Sequence, residues 1–351
     1  MKNNSILKSE YLKMLPSVFL IMLATSAYGL LNSLIVGNFC GSKGLAAMGI
    51  ITPLTGMIYA FSSMMNFGTL SVCGNYFGEG KIKGANSAFT TSLICGSAVG
   101  AVLTLVSLIF PRLISSLLGS NVEMLDSVAD YLKGMSFGMI PLMINSTICS
   151  YIHMGKKHHW AIISVIIQIT INVALDFYFI LCLNKGIFYV GLATSIGSIT
   201  AMIILLICTY SKDSVVKIKP SLFRFSHFVN SIKYGSNSGF METALAIRNL
   251  VINYYLVNVG GADAVSAWSV MLNVGILMVA LSDSNVEVSQ ILFSISVGEK
   301  DKKSVKEIWS FACKVGRITT GVVALIMIIF VKKIAMCFGL TGQALDYASF
   351  L

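Results

Sequence analysis

The chain matches itself at one fixed offset. Residues 41–50 (GSKGLAAMGI) line up with residues 261–270 (GADAVSAWSV), and Gly78-Glu79 lines up with Gly298-Glu299, each opening a short charged loop. Gly119 lines up with Gly339, and Leu125-Asp126 with Leu345-Asp346. Every pair is 220 residues apart. One offset kept from residue 41 to residue 346 describes two copies of one unit. A complete second copy would need roughly 80 residues more, so the chain is expected to be a fragment or an early-stop form, with a natural short form as the alternative. A repeat of this length in an apolar chain points to a transporter built from two related halves.

The medium that such a chain folds in follows from its apolar runs. Hydrophobic residues make up 56% of the 351 and charged residues only 11%, against roughly 25% charged in soluble domains. Nine runs are long enough to cross a bilayer: about 15–36, 47–73, 88–111, 131–152, 160–182, 188–210, 234–257, 265–295 and 308–331. A tenth begins near residue 346. Pro53 and Pro141 fall inside spans and are expected to kink them.

The net charge of +10 is read as a cytoplasmic excess of Lys and Arg and not as a nucleic-acid surface, because the basic residues cluster in alternate loops. With the N-terminus inside, sixteen fall in cytoplasmic segments and five in outer ones. Residues 1–210 form a six-span half, 211–233 a basic cytoplasmic linker containing Pro220, and 234–351 an incomplete second half. Six spans is an even number, so the two halves enter the membrane in the same direction. The expected fold is an all-α membrane protein of two parallel six-helix repeats, the second incomplete.

Few residues in the spans carry chemistry. The eight cysteines are scattered without a CxxC spacing and read as packing residues. No metal cluster, phosphate loop or catalytic-triad spacing is present in the sequence, so an enzyme is not expected. Asp176 is an ionisable residue within a span, which costs roughly 2.5–3.5 kcal/mol on insertion scales. Asn172 lies four residues before it on the same helix face, so carboxylate and amide can converge on one cation or proton, or else Asp176 pairs with a polar neighbour to hold helices together. Asp283, Glu287 and Gln290 form one acidic face on the eighth span. That face lines a cavity that attracts cationic substrates, or it is the wet side of a helix leaving the bilayer. Asn249 and Asn253 follow Glu242 on a similar face of the seventh span.

Several strings at matching span positions carry a family resemblance: YGLLNSLIVG from Tyr28, LAAMG from Leu45, GNYFGEG from Gly74, NVALDF from Asn172 and GLAT from Gly191. In this order the chain resembles the multidrug and toxic compound extrusion (MATE) transporters along its whole length. The resemblance implies an inner-membrane, multi-pass antiporter that exports amphipathic, often cationic, organic compounds. It would be driven by Na+ or H+ entry, with no other cofactor, and would expose a central cavity alternately to each side. The expected partners are the small-molecule substrate and the lipid bilayer, and a monomer is expected. The resemblance also implies a cation site of Asn32, Asn172, Asp176 and Thr194. Asn32 stands where some members carry Asp, so the site keeps one carboxylate, which suits sodium or a lone Asp proton carrier. Glu242 matches a Glu of the sodium-coupled branch whose partner would lie beyond Leu351. Two alternatives stay open: a lipid-linked oligosaccharide flippase of the wider superfamily, against which the lack of mid-membrane cations in the first half speaks, and a truncated relative that does not transport.

Overall fold

The computed structural model describes residues 2–120, 122–154, 158–183, 185–211 and 217–337. Among them every regular element is helical: α1 (Lys2–Phe39), α2 (Gly41–Gly78), α3 (Ile82–Ile109), α4 (Pro111–Leu117), α5 (Leu125–Ser136), α6 (Met139–Met154), α7 (His158–Phe177), α8 (Ile187–Tyr210), α9 (Phe225–Gly298) and α10 (Lys302–Cys337). A π-helical turn, Tyr178–Cys182, continues α7, and a 3-10 turn, Pro220–Leu222, precedes α9. Seven of the described helical stretches are long and apolar enough to cross a membrane. The tenth expected span, the pairings at Gly339 and at Leu345-Asp346, and linker residues 212–216 lie outside the described residues.

The repeat is visible in the backbone. After Gly78 the chain turns through three residues, with Glu79 N–H donating to Asn75 O, Gly80 N–H to Phe77 O and Lys81 N–H to Tyr76 O. After Gly298 the same bonds recur 220 residues on: Glu299 to Ile295, Lys300 to Val297 and Asp301 to Ser296. Gly80 and Lys300 both take left-handed backbone, at φ 71° and 58°. Glycine enters that region freely, whereas a side chain pays roughly 1–2 kcal/mol. α3 and α10 then start at equivalent positions, Ile82 and Lys302.

Three expected spans differ in form, in two ways. Span 131–152 is two helices, α5 and α6, broken at Phe137-Gly138. Pro141 therefore sits in the first turn of α6, where its missing N–H is harmless, and does not kink a continuous helix. The carbonyls beside the break accept from neighbouring helices, and Met135 O also from Gly138 N–H (3.0 Å). Ser195 Oγ of α8 donates to Gly134 O (2.7 Å) and Met135 O (3.1 Å), and Thr104 Oγ1 of α3 donates to Ser136 O (2.8 Å). A broken helix at membrane depth is tolerated only with such partners.

The second difference is at spans 234–257 and 265–295, which belong to one helical stretch, α9, beginning earlier, at Phe225. A straight helix of 74 residues would be about 110 Å long. Yet both ends of α9 touch the same end of α2, Ser231 against Gly68 and Gly298 against Gly78. The stretch therefore doubles back, and its two arms are the two expected spans. Its counterpart in the first copy is the α1–α2 pair.

Three buried clusters hold the bundle. Ile21, Phe89, Ile148, Tyr151 and Leu205 close one end of the first half, and Val36, Ile51, Tyr131, Leu132 and Met143 close the other. Tyr11, Val18 and Leu70 meet Val288, Ile291 and Ile308, joining the first half to the second. From Lys217 onward the linker is fastened to α3. Lys217 N–H donates to Asn86 Oδ1, Lys219 N–H to Thr90 Oγ1 and Arg224 N–H to Thr91 Oγ1, while Ser87 Oγ donates to Leu222 O. These four side chains lie at i, i+1, i+4 and i+5 on α3, so one helix face satisfies backbone groups that would otherwise be buried without partners.

Candidate functional site

The sequence places Asn172 and Asp176 one turn apart on α7, and the fold buries both, at 1% and 0% exposure. With its amide assigned the orientation that satisfies both ends, Asn172 Nδ2 donates to Asp176 Oδ2 at 3.0 Å, and its Oδ1 accepts the backbone N–H of Thr194 at 2.8 Å. The same Nδ2 lies 3.0 Å from the hydroxyl of Tyr28 on α1. The Thr194 hydroxyl stands 3.2 Å from the amide and also donates to Val190 O. Residues from α1, α7 and α8 thus meet at one point, and the chain widens into the π-helical turn two residues after Asp176. Such turns recur at functional sites.

Asn32 follows Tyr28 by one turn of α1 and is also buried, at 6% exposure. Asn32 Oδ1 and Asp176 Oδ1 are two of the ten buried side-chain polar atoms that have no hydrogen-bond partner among the described residues. An unsatisfied buried polar atom costs roughly 1–3 kcal/mol, and each such atom calls for an explanation. Tyr28 was not among the candidate residues, because an aromatic residue in an apolar helix reads as packing. Its place four residues before Asn32 on one face was the available signal.

Beside this cluster a cavity of ≈ 70 Å³ opens between α1, α2, α6, α7 and α8. Tyr28, Tyr59, Met139, Leu142, Gln168 and Thr194 are among its lining residues. The break between α5 and α6 borders it, through Met135 and Gly138. Asn145 Nδ2 donates to Ser198 O (3.0 Å), and Gln168 Nε2 reaches Ser198 Oγ (3.4 Å). The wall is therefore mixed, with aromatic faces and thioether beside amides and hydroxyls.

The second-half candidates separate. Glu242 and Asp283 are both exposed, and Glu242 and Glu287 are the charged neighbours that Asp283 feels most. Carboxylates from the two arms of α9 therefore lie near enough to influence one another. Glu287 itself is 2% exposed. Gln290 does not join them, because its Nε2 donates to Phe67 O (3.1 Å) and Ser71 Oγ (2.9 Å) of α2. Asn249 Oδ1 accepts from Arg248 Nη2 at 3.1 Å. The Asn253 side chain lies outside the described residues. Among the described residues no group of three His, Cys, Asp or Glu is placed to hold a metal ion.

The chain is similar to known proteins. Residues 17–178 match the family model described as MatE. This stretch of the chain is a MatE domain. Among the chain's relatives is the multidrug export protein MepA of Staphylococcus aureus, 21% identical over 235 residues, which are 66% of this chain and 52% of MepA. MepA of Staphylococcus haemolyticus is 22% identical over 236 residues, again 66% and 52%. The chain thus spans about half the length of the relatives it matches. Its fold is shared with a crystal structure of MATE in complex with MaL6, at TM-score 0.86 and 18% identity, covering 97% of this chain and 77% of that one. An outward-facing multidrug resistance MATE transporter of the MOP superfamily superposes at TM-score 0.87 and 18% identity, covering 98% and 77%. The MATE fold, with its apolar helices, makes this a multi-pass membrane protein.

Proposed function

We propose that this chain works in a cation-coupled antiporter that exports amphipathic, cationic organic compounds by alternating access. The observation that carries the reading is the buried oxygen cluster of Asp176, Asn172, Thr194 and Asn32, with one carboxylate oxygen and one amide oxygen lacking partners beside a cavity of mixed polarity. Hard cations favour oxygen ligands, so one carboxylate with neutral oxygens fits Na+, and a lone buried Asp fits H+. Tyr28 links the cluster to the cavity by belonging to both. That link would let ion binding alter the wall a substrate touches. The multidrug export assigned to the MepA relatives supports the substrate class. The acidic neighbours Glu242 and Asp283 support a preference for cations, since a surface of one charge sign concentrates the opposite sign. The excess of Lys and Arg supports a cytoplasmic N-terminus in an inner membrane.

The test is uptake of ethidium, a fluorescent organic cation, into inverted vesicles carrying the protein, under an imposed Na+ gradient and an imposed pH gradient in turn. One gradient should drive uptake and the other should not. Equal uptake with either gradient collapsed would remove the proposal.

A further inference from the structure

The linker docked on α3 has an inner and an outer side. Its backbone is spent inward, since the N–H groups of Lys217, Lys219 and Arg224 and the carbonyl of Leu222 all bond the α3 face. Lys219 has extended backbone, at φ −132° and ψ 95°, and in such backbone successive side chains alternate. Ile218 accordingly turns in and packs against the cluster of Phe89, Ile148 and Tyr151, while Lys217 and Lys219 stay exposed. Further on, His227 turns in, and Phe223, Arg224 and Phe225 stay out. One turn before Asn86 and Ser87, Ile82 and Lys83 of α3 continue the same helix face and are exposed as well. The outer side thus presents four cations, Lys83, Lys217, Lys219 and Arg224, interleaved with Ile82, Phe223 and Phe225. No Asp or Glu occurs from residue 217 to residue 241, and Glu79 in the turn before α3 is already paired with Lys81 at 2.8 Å.

This strip lies at the depth of lipid headgroups. The α3 span, Ile82–Ile109, has 28 residues. That is about 42 Å of helix, roughly 12 Å more than the hydrocarbon core of a bilayer. The only charged residue of the span, Lys83, and most of its polar ones sit at the end that holds the linker, so the excess length falls there. At that depth apolar and aromatic side chains enter the acyl boundary while basic ones stay among the phosphates. A loose linker would have to be ordered before it could do both. Here four hydrogen bonds and the buried Ile218 hold the strip in place beforehand, which lowers the cost of binding.

We propose that this strip is a docking site for anionic phospholipid of the leaflet that carries the linker. Phosphate oxygens accept from Lys83, Lys217, Lys219 and Arg224, and Ile82, Phe223 and Phe225 meet the upper acyl chain. The segment that joins the two halves is then clamped on both sides, to α3 through its backbone and to the membrane through its side chains. The inference needs only that the chain spans a bilayer, so it stands or falls apart from the transport reading.

The experiment is native mass spectrometry of the 351-residue chain released from vesicles of equal parts phosphatidylglycerol and phosphatidylcholine. The parent should retain the anionic lipid several-fold over the neutral one. Lys217→Gln, Lys219→Gln and Arg224→Gln combined should cut the retained phosphatidylglycerol by about threefold or more. Lys302→Gln, Lys303→Gln and Lys306→Gln combined remove the same charge from exposed positions of α10 and should leave most of it. A parent without preference, or equal losses in the two variants, would overturn the proposal, the second result meaning general charge attraction. If the strip variant does not fold, acetylation of the parent's lysines decides. Lys217 and Lys219 should react several-fold more slowly in phosphatidylglycerol vesicles than in phosphatidylcholine vesicles, each rate taken relative to Lys302 and Lys303 of the same molecule. Equal relative rates in the two lipids would overturn the proposal and leave the strip to a soluble acidic partner.

Discussion

Asn172 binds the carboxylate of Asp176 with its amide nitrogen and the backbone of Thr194 with its amide oxygen. One side chain therefore ties α7 to α8 while leaving the second carboxylate oxygen, Asp176 Oδ1, without a partner. Such an atom calls for an explanation, and this one stands among polar groups brought together from three helices. That asymmetry is why the proposed ion site is centred on Asp176.

Tyr28→Phe should loosen this arrangement without removing it. The hydroxyl partner of Asn172 disappears while the ring remains, and an orphaned buried donor costs roughly 1–3 kcal/mol. We expect a modest fall in thermal midpoint and weaker gradient-driven uptake, with the protein still inserted. A variant identical to the parent in both readouts would remove Tyr28 from the site.

Ser195→Ala tests the broken helix. Its hydroxyl serves the carbonyls of Gly134 and Met135, and removing it should destabilise the protein by about 1–3 kcal/mol. Unfolding in detergent with circular dichroism reads this. An unchanged midpoint would mean that other groups satisfy those carbonyls.

Lys300→Gly should stabilise the turn between α9 and α10. Lys300 holds φ 58° where the equivalent residue is already glycine, and relief of left-handed strain is worth about 1 kcal/mol. The same unfolding assay should show a higher midpoint. A drop would mean that the Lys300 charge beside Glu79 outweighs the strain.

His227 gives a pH dependence. It is buried at the start of α9, edge-on to Tyr76 at 5.5 Å, and Arg224 is its charged neighbour. Burial, and secondarily Arg224, push its pKa below the ordinary 6.5. The unfolded chain therefore binds a proton more readily than the folded one, so stability is full above about pH 6.5 and falls as the pH drops below it. His227→Gln should flatten the stability profile between pH 6.5 and 5. A profile as steep as the parent's would assign the effect elsewhere.

The repeat was the most legible part of this chain. Gly78 and Gly298 mark helix ends because both precede the same three-residue turn, and turn residues are chosen by backbone geometry, which survives in sequence. Asn172, Asp176 and Thr194 were legible because polar residues in apolar helices stand out and the i, i+4 spacing sets their face. Tyr28 did not stand out, since tyrosine is at home in a membrane helix. The face of Asn86, Ser87, Thr90 and Thr91 was missed for a similar reason: hydroxyl and amide residues near a helix end read as small packing groups, and only the docked linker reveals their use. The break at Phe137-Gly138 was misread as a kink at Pro141. A proline marks a helix's first turn and a helix's bend with equal readiness, and the partners that decide between them, Thr104 and Ser195, are distant in sequence. Gln290 shared a face with Asp283 and Glu287 on paper, but its amide is spent on α2.

The measurement that bears most directly on the central claim is gradient-driven ethidium uptake by Asp176→Asn beside the parent, at matched amounts of inserted protein. Asparagine keeps the shape and the hydrogen bond to Asn172 but cannot carry the charge of a carboxylate or exchange its proton. The account predicts that uptake falls by about tenfold or more, as expected for loss of an intramembrane ionisable group that works in the cycle. Uptake at the parent's rate, under the same gradient, would contradict it.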